Sequence, residues 1–295
     1  MAFAAKNKKW LGYALYVVLV SLVLLYYLFP AQAVEEVVDS SVSRMNPDLG
    51  FKADSMGPWI PAGLRIKSGR IYSKDIQDPP VFLADSMYIG PRIMQLLKGE
   101  YSIDLAGRAY NGDIKGLLHA KGEPGASFES RLSLNGLDVS EYEFLAAKLK
   151  HRVTGKLSGD IVYGRESANT PENGRAELRL TGGQLQLETP LFGISSVDLQ
   201  NIDLLMELGN GEITISRAEL AGSEIKASLT GSIQLQPDMN QSLLNLKGTL
   251  EPLAEFYKNY PEIRELLKSM RKRVRRGQYF FTITGTLGEP RFRFQ

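Results

Sequence analysis

Beyond about residue 63 the chain is built on a period of two, and no other feature restricts its fold as strongly. Arg175-Ala176-Glu177-Leu178-Arg179-Leu180 alternates polar and apolar side chains without a break, as does Gln184-Leu185-Gln186-Leu187-Glu188. Glu212-Ile213-Thr214-Ile215-Ser216 and Glu224-Ile225-Lys226-Ala227-Ser228-Leu229 repeat the pattern. Ile233 with Leu235, Leu244 with Leu246, and Tyr279-Phe280-Phe281-Thr282-Ile283 extend it. Successive strand side chains point to opposite faces, so the alternation predicts strands with one wet and one apolar face. Parallel strands buried on both faces would read as continuous apolar runs, so the sheet is expected to be antiparallel. Asn111-Gly112 and Asn210-Gly211 lie between alternating runs and suit type I′ hairpins. Asn135-Gly136, Asn173-Gly174 and Gly182-Gly183 read as further punctuation. The apolar phase slips by one between Leu199 and Ile202, which predicts a bulge or a strand break there.

The spacing predicts a dozen or more strands of roughly five residues each, about 4.8 Å apart. A sheet of that width must twist, curl or split into two layers. Leu178, Leu180, Leu185, Leu187, Ile213, Ile215, Ile225 and Leu229 are expected on its apolar side, with Arg179, Glu212 and Lys226 pointing away. Few helices are available to cover that side. It therefore either fills itself, as a sandwich or bent taco, or leaves a groove for acyl chains or a partner protein. The self-filled core is the expectation and the groove the alternative.

The N-terminal segment is of a different kind. From Trp10 to Phe29 the chain carries no charge, and a helix of that length spans about 30 Å, the thickness of a bilayer core. Trp10 and Tyr13 flank one end and Tyr26, Tyr27 and Phe29 the other, where amphipathic aromatics favour the headgroup region. Lys6, Lys8 and Lys9 precede the run, and Glu35 and Glu36 follow it. The positive-inside rule then leaves residues 1–9 in the cytoplasm, residues 10–29 as a single transmembrane helix and the remainder across the membrane. Ala31-Gln32-Ala33 has the small-x-small form of a signal-peptidase site. The run is longer than a usual signal core, however, and bulky Tyr26 to Phe29 crowd the approach, so a retained anchor is expected. Residues 30–56 read as a linker holding a short amphipathic helix from Ala33 to Met45, ended by Asn46-Pro47. Residues 57–295 read as the β-rich domain, entered through the turn-rich Gly57-Pro58-Trp59-Ile60-Pro61-Ala62-Gly63. A short helical stretch running into a glycine and a strand pair recurs at Ile93–Gly99, at Tyr142–Leu149 and at Pro261–Gly277.

Composition argues against several chemistries. Lys and Arg total 35 against 33 Asp and Glu, a formal net charge of +2, too even for a dedicated nucleic-acid binder. Cysteine is absent and only His119 and His151 are present, which excludes disulfides and thiolate sites and leaves little for histidine metal or acid/base chemistry. No nucleophile elbow, zinc motif, P-loop or dinucleotide fingerprint occurs. Gly107-Arg108-Ala109 and Gly155-Lys156-Leu157-Ser158-Gly159 are flanked by alternating strands and open no helix, so they read as turns, not as phosphate cradles. Asp75 with Asp78, and Asp198 with Asp203, read as surface carboxylates, and both histidines as strand-end or surface residues. The chain reads as a non-enzyme without a cofactor or metal. One charged cluster remains. Lys268, Arg271, Lys272, Arg273, Arg275 and Arg276 follow a helical apolar pattern of Phe256, Tyr260, Ile263, Leu266, Leu267 and Met270. The expectation is a solvated helix end, with contact to anionic headgroups or an acidic partner as the alternative.

Several motifs together resemble a known family. The anchor ends in Phe29-Pro30, and Pro61-Ala62-Gly63-Leu64-Arg65 follows the short helix. Gly155-Lys156-Leu157-Ser158-Gly159 comes next, then Gly182-Gly183 with Leu191-Phe192-Gly193. Gly248-Thr249-Leu250 ends one strand, and Gly285-Thr286-Leu287-Gly288-Glu289-Pro290-Arg291-Phe292 closes the chain. Over nearly its whole length this pattern resembles protein N of the bacterial type II secretion system, GspN, in its longer divergent branch. It is also similar to the AsmA-like envelope proteins. The resemblance implies a single-pass inner-membrane protein with its main domain in the periplasm, and no catalytic residues. The first family implies a non-enzymatic accessory role that assembles or bridges the apparatus with other secretion subunits. The second implies lipid binding or transfer. The expected architecture is thus mainly β: an N-terminal transmembrane helix, then an elongated, curved antiparallel sheet, as a taco, groove or sandwich, with a few short helices.

Overall fold

A computed structural model describes residues 3–60, 62–74, 79–121, 127–149, 151–191, 194–261, 274–275 and 277–295. The chain is mainly β with a few short helices and forms two compact units, Met1–Gly90 and Pro91–Gln295.

The first unit opens with helix α1 (Phe3–Tyr27) and helix α2 (Ala31–Met45), separated at Pro30. Asn46 turns extended at φ −145° and stops α2, as a residue before proline tends to do. Strands β1 (Leu49–Lys52), β2 (Ser55–Trp59), β3 (Gly63–Ser73) and β4 (Phe82–Pro91) follow. The eleven-residue β3 is the spine. β1 pairs with its Arg70–Ser73 end, β2 with its Gly63–Lys67 end, and β4 along its other edge. Ser68 takes φ 50° where the partner changes from β2 to β1. The stretch around Pro58, read as turn-rich, is strand up to Trp59. Its proline is tolerated because, among the described residues, β3 is the only strand partner of β2. Phe51, Ile66 and Ala84 form the buried centre, with Ile66 only 1% exposed. Two carboxylates one helical turn apart on α2 serve the edge of this sheet. Asp39 accepts from the Phe51 amide at 2.6 Å and Glu35 from the Ala53 amide at 3.1 Å. Edge amides that would otherwise invite another strand are thereby satisfied.

The second unit holds β5 (Tyr101–Ala109), β6 (Gly112–Lys121), β7 (Ser127–Asp138), β8 (His151–Arg165), β9 (Asn173–Leu191) and β10 (Ile194–Gly209). It continues with β11 (Glu212–Ala221), β12 (Ile225–Gln234), β13 (Leu243–Pro252), β14 (Val274–Arg275), β15 (Gln278–Thr286) and β16 (Pro290–Phe294). Each strand from β5 to β13 pairs antiparallel with the next. β15 pairs with β13 and also carries β14 and β16. Helices α3 (Ile93–Leu96), α4 (Glu143–Leu149) and α5 (Ala254–Asn259) are short connectors.

Several strands are much longer than five residues: β8 has 15, β9 has 19 and β10 has 16. Glycines read as punctuation do not end the strands that contain them. Gly136 lies inside β7 and Gly182 inside β9, at φ +65° and +60°, and the strands run on through both. Pairing shifts register between Leu134 and Leu137 against β8, and between Thr154 and Lys156 against β9. Such single-residue insertions bend and twist a strand without ending it. The phase slip at Leu199–Ile202 is not a break either. β9 slips at the same level, so Leu199 still faces Gly183 and Asn201 faces Thr181. Inside β9, Thr181 and Gly182 are both exposed between buried Leu180 and buried Gly183.

The two Asn-Gly pairs are used differently. At Asn210-Gly211 both residues have positive φ and join β10 to β11, as the dipeptide predicts. At Asn111-Gly112 the turn sits one residue earlier, on Tyr110 and Asn111, with φ 50° and 59°. Gly112 already belongs to β6, where an added Cβ would lie 2.7 Å from the Asn135 carbonyl oxygen. Close strand approach selects that glycine.

Gly159 offers a test of the sheet. Its φ is +152°, and an added Cβ would lie 2.1 Å from the Glu177 carbonyl oxygen. Gly159→Val should cost about 3 kcal/mol and lower the melting temperature by roughly 6–12 °C. An unchanged melt would show that β8 and β9 are not in this register.

Candidate functional site

The register of the second unit assembles apolar residues from every long strand into transverse rows. Directly opposed residues of antiparallel strands share a face. One row runs Leu105, Gly116, Leu132, Ile161, Ala176, Met206 and on to Ile215. From Ile215 it continues through Gly231, Leu246 and Ile283 to Phe292. The row beside it links Leu178, Leu204, Ala218 and Leu229. Another links Ile103, Leu118, Ser130, Tyr163, Gly174, Leu208 and Ile213. Leu178, Leu180, Ile213, Ile215, Ile225 and Leu229 are therefore brought to one side. Leu185 and Leu187 are half-buried beyond the slip at Gly182, while Gln184 and Gln186 are exposed.

Burial is uneven along this face. Ile215, Leu244 and Leu246 form a closed cluster, with Leu204, Met206, Ala218, Leu229, Ile233 and Ile283 packed around it. Leu180 is buried as well, but Leu178, Leu185, Leu187, Ile213, Ile225 and Leu229 are only half-buried. Towards β5 and β6 the face opens, with Ile103 39% and Leu118 40% exposed. At β16, Phe292 is 54% exposed. Phe292 stacks against Phe281 at 5.0 Å and meets Phe294 edge-on at 4.9 Å.

The opposite side is a ladder of charges. Arg179 donates to Asp203 at 2.5 Å and Arg175 to Glu207 at 3.1 Å, both across β9–β10. The hydrogen bond to Asp203 raises the Arg179 guanidinium above its ordinary value. Glu212 and Lys226 are exposed on the same polar side. Elsewhere, a hydrogen bond from Lys156 at 2.8 Å holds the Asp138 carboxyl below its usual range. Exposed pairs of this kind add little stability and chiefly keep the face wet.

The remaining sequence candidates fall separately. Asp198 accepts from the Ser223 hydroxyl at 2.6 Å and Asp203 from Arg179, so the two carboxylates serve different partners. Asp75 and Asp78 lie outside the described residues. His119 is half-buried within β6, not at a strand end, because the register sets it opposite Ser102. Its Nδ1 lies 2.6 Å from the Ser102 hydroxyl. Nothing in the sequence pattern pointed to that pair. Ser102 is 1% exposed, so this contact satisfies a buried hydroxyl. Gly107 lies inside β5 and Gly155 to Gly159 inside β8, so these glycines are strand residues and not the turns their sequence suggests. Among the described residues no cluster of metal-ligating side chains occurs.

Of the basic cluster, Lys268, Arg271, Lys272, Arg273 and Arg276 lie outside the described residues. Arg275 belongs to β14, its backbone paired with Gln278. Of the apolar pattern leading to it, Phe256 is buried in α5 and Tyr260 caps that helix. The anchor candidates Trp10, Tyr13, Tyr26 and Tyr27 are exposed on α1, and Phe29 lies just beyond it. Among the described residues no helix is long and apolar enough to cross a membrane. The side chains of residues 3–9, Leu11, Val18, Leu22 and Leu25 lie outside the described set.

The chain matches no family model, no curated protein and no solved structure.

Proposed function

We propose that this protein is a non-enzymatic, membrane-anchored accessory component of the type II secretion system, located in the bacterial inner membrane. The segment Trp10–Phe29 is its single membrane pass, with the N-terminus cytoplasmic and the β-rich domain periplasmic. The observation that carries the reading is the antiparallel sheet of the second unit, with one charged face and one apolar face that is only partly buried. A large apolar face left partly open is a surface for a partner. The partner in this reading is another subunit of the apparatus, which the sheet helps to assemble or bridge. The glycine pattern shared with protein N of that system supports the assignment. Crosslinking in intact envelopes followed by capture of this chain tests it. Secretion subunits should be enriched among the adducts, and their absence would overturn the reading.

A second reading rests on the same face. Ile103, Leu118 and Phe292 offer exposed apolar area beside a closed cluster, which suits acyl chains as well as protein. In that case the chain is a lipid-binding or lipid-transfer protein like the AsmA-like envelope proteins. Mass spectrometry of the purified protein would then find co-purified phospholipid, and lipid-free protein would exclude it.

A further inference from the structure

The first unit contains a pocket of about 440 Å³ where the end of α1 meets the β2–β3 hairpin. Tyr26, Met56, Trp59 and Ile60 supply apolar and aromatic wall, and Arg65 and Lys67 supply charge. The hairpin register explains the arrangement. Arg65 faces Gly57 and Lys67 faces Ser55, which sets both cations on one face of the hairpin. The Trp59 ring lies 4.8 Å from the Tyr88 ring, and the Arg65 guanidinium lies 5.5 Å over Tyr88. Among the described residues no acidic side chain lines the pocket. Among the described residues neither Arg65 nor Lys67 is ion-paired, and the nearby Asp54 carboxylate is taken by Arg70 at 2.5 Å. Gly57 has open space where a Cβ would stand.

We propose that this pocket binds the phosphate headgroup of an anionic membrane phospholipid. Two cations without carboxylate partners complement a phosphate diester. Tyr26, Trp59 and Ile60 match the amphipathic layer where glycerol and the first acyl carbons lie. The position at the end of α1 selects a membrane lipid over a soluble anion. The inference rests on α1 being the membrane anchor.

The test uses the full chain in phosphatidylcholine nanodiscs with increasing phosphatidylglycerol. The only tryptophans are Trp10 and Trp59, so Trp10→Phe leaves Trp59 as the reporter. Its emission should change saturably with phosphatidylglycerol. Arg65→Gln should weaken the apparent affinity about fivefold, and Arg65→Gln with Lys67→Gln about 25-fold. Gly57→Leu keeps both charges, fills the open space, and should also weaken the response. Unchanged melting of each variant separates these effects from misfolding. An equal response in the wild type and the double variant would overturn the proposal. So would glycerol 3-phosphate reproducing the emission change in phosphatidylcholine discs, since that assigns the site to a soluble phosphate ester. If the chain leaves the membrane on alkaline carbonate washing, the anchor reading fails and takes this inference with it. If it stays and the titration is flat, this inference alone fails.

Discussion

Ile215→Asp is expected to abolish the cooperative melting of the β-rich unit, while Leu118→Asp leaves it nearly intact. Both residues lie on the same face of the sheet, through the row that reaches Ile213. Their surroundings differ. Ile215 is buried against Leu244 and Leu246, and a carboxylate placed there has no hydrogen-bond partner. Burying it costs several kcal/mol, a large share of the 5–15 kcal/mol that typically separates folded from unfolded. Leu118 is partly open to water, so its aspartate stays hydrated and should cost about 1 kcal/mol or less. Thermal melting followed by circular dichroism reads both. Equal loss in the two variants would mean that the face is closed along its whole width. Equal tolerance would mean that even the Ile215 cluster is open.

The second large effect concerns α1. Leu15→Arg together with Leu19→Arg places two charges near the middle of the uncharged run. Each should cost about 2.5–3.5 kcal/mol of insertion free energy. A periplasm-dependent reporter fused after Gln295 should be active on the wild-type chain and lose most of its activity on the double variant. The protein should also move from the membrane fraction to the soluble one. Reporter activity that survives both arginines would contradict a retained single pass.

Much of the sheet was legible in the sequence because alternation is a property of one strand at a time. Glu212 to Ser216 announces its two faces without any knowledge of neighbours. Properties that belong to pairs of strands were not legible. Gly182 looks like a turn residue, and only the pairing of Thr181 and Gln184 on either side of it with β8 and β10 shows that the strand continues. The Asn111-Gly112 turn was displaced by one residue because Gly112 is needed against Asn135 in β7, a contact distant in sequence. Pro58 hid β2, since only an edge position excuses its missing donor. The apolar-face residues were readable for the same reason as the strands. The Ser102–His119 contact and the Arg65–Lys67 pocket are made by register, so no linear motif marks them.

Residue-specific photo-crosslinking from the open part of the apolar face tests directly whether a secretion subunit docks there. A photoreactive amino acid is placed at Leu118, with Arg179 on the charged face as control, and irradiated in intact envelopes. A protein adduct that contains a secretion subunit is expected at Leu118, and none at Arg179. Phospholipid adducts alone at Leu118 would contradict that docking and make lipid handling the function of this sheet.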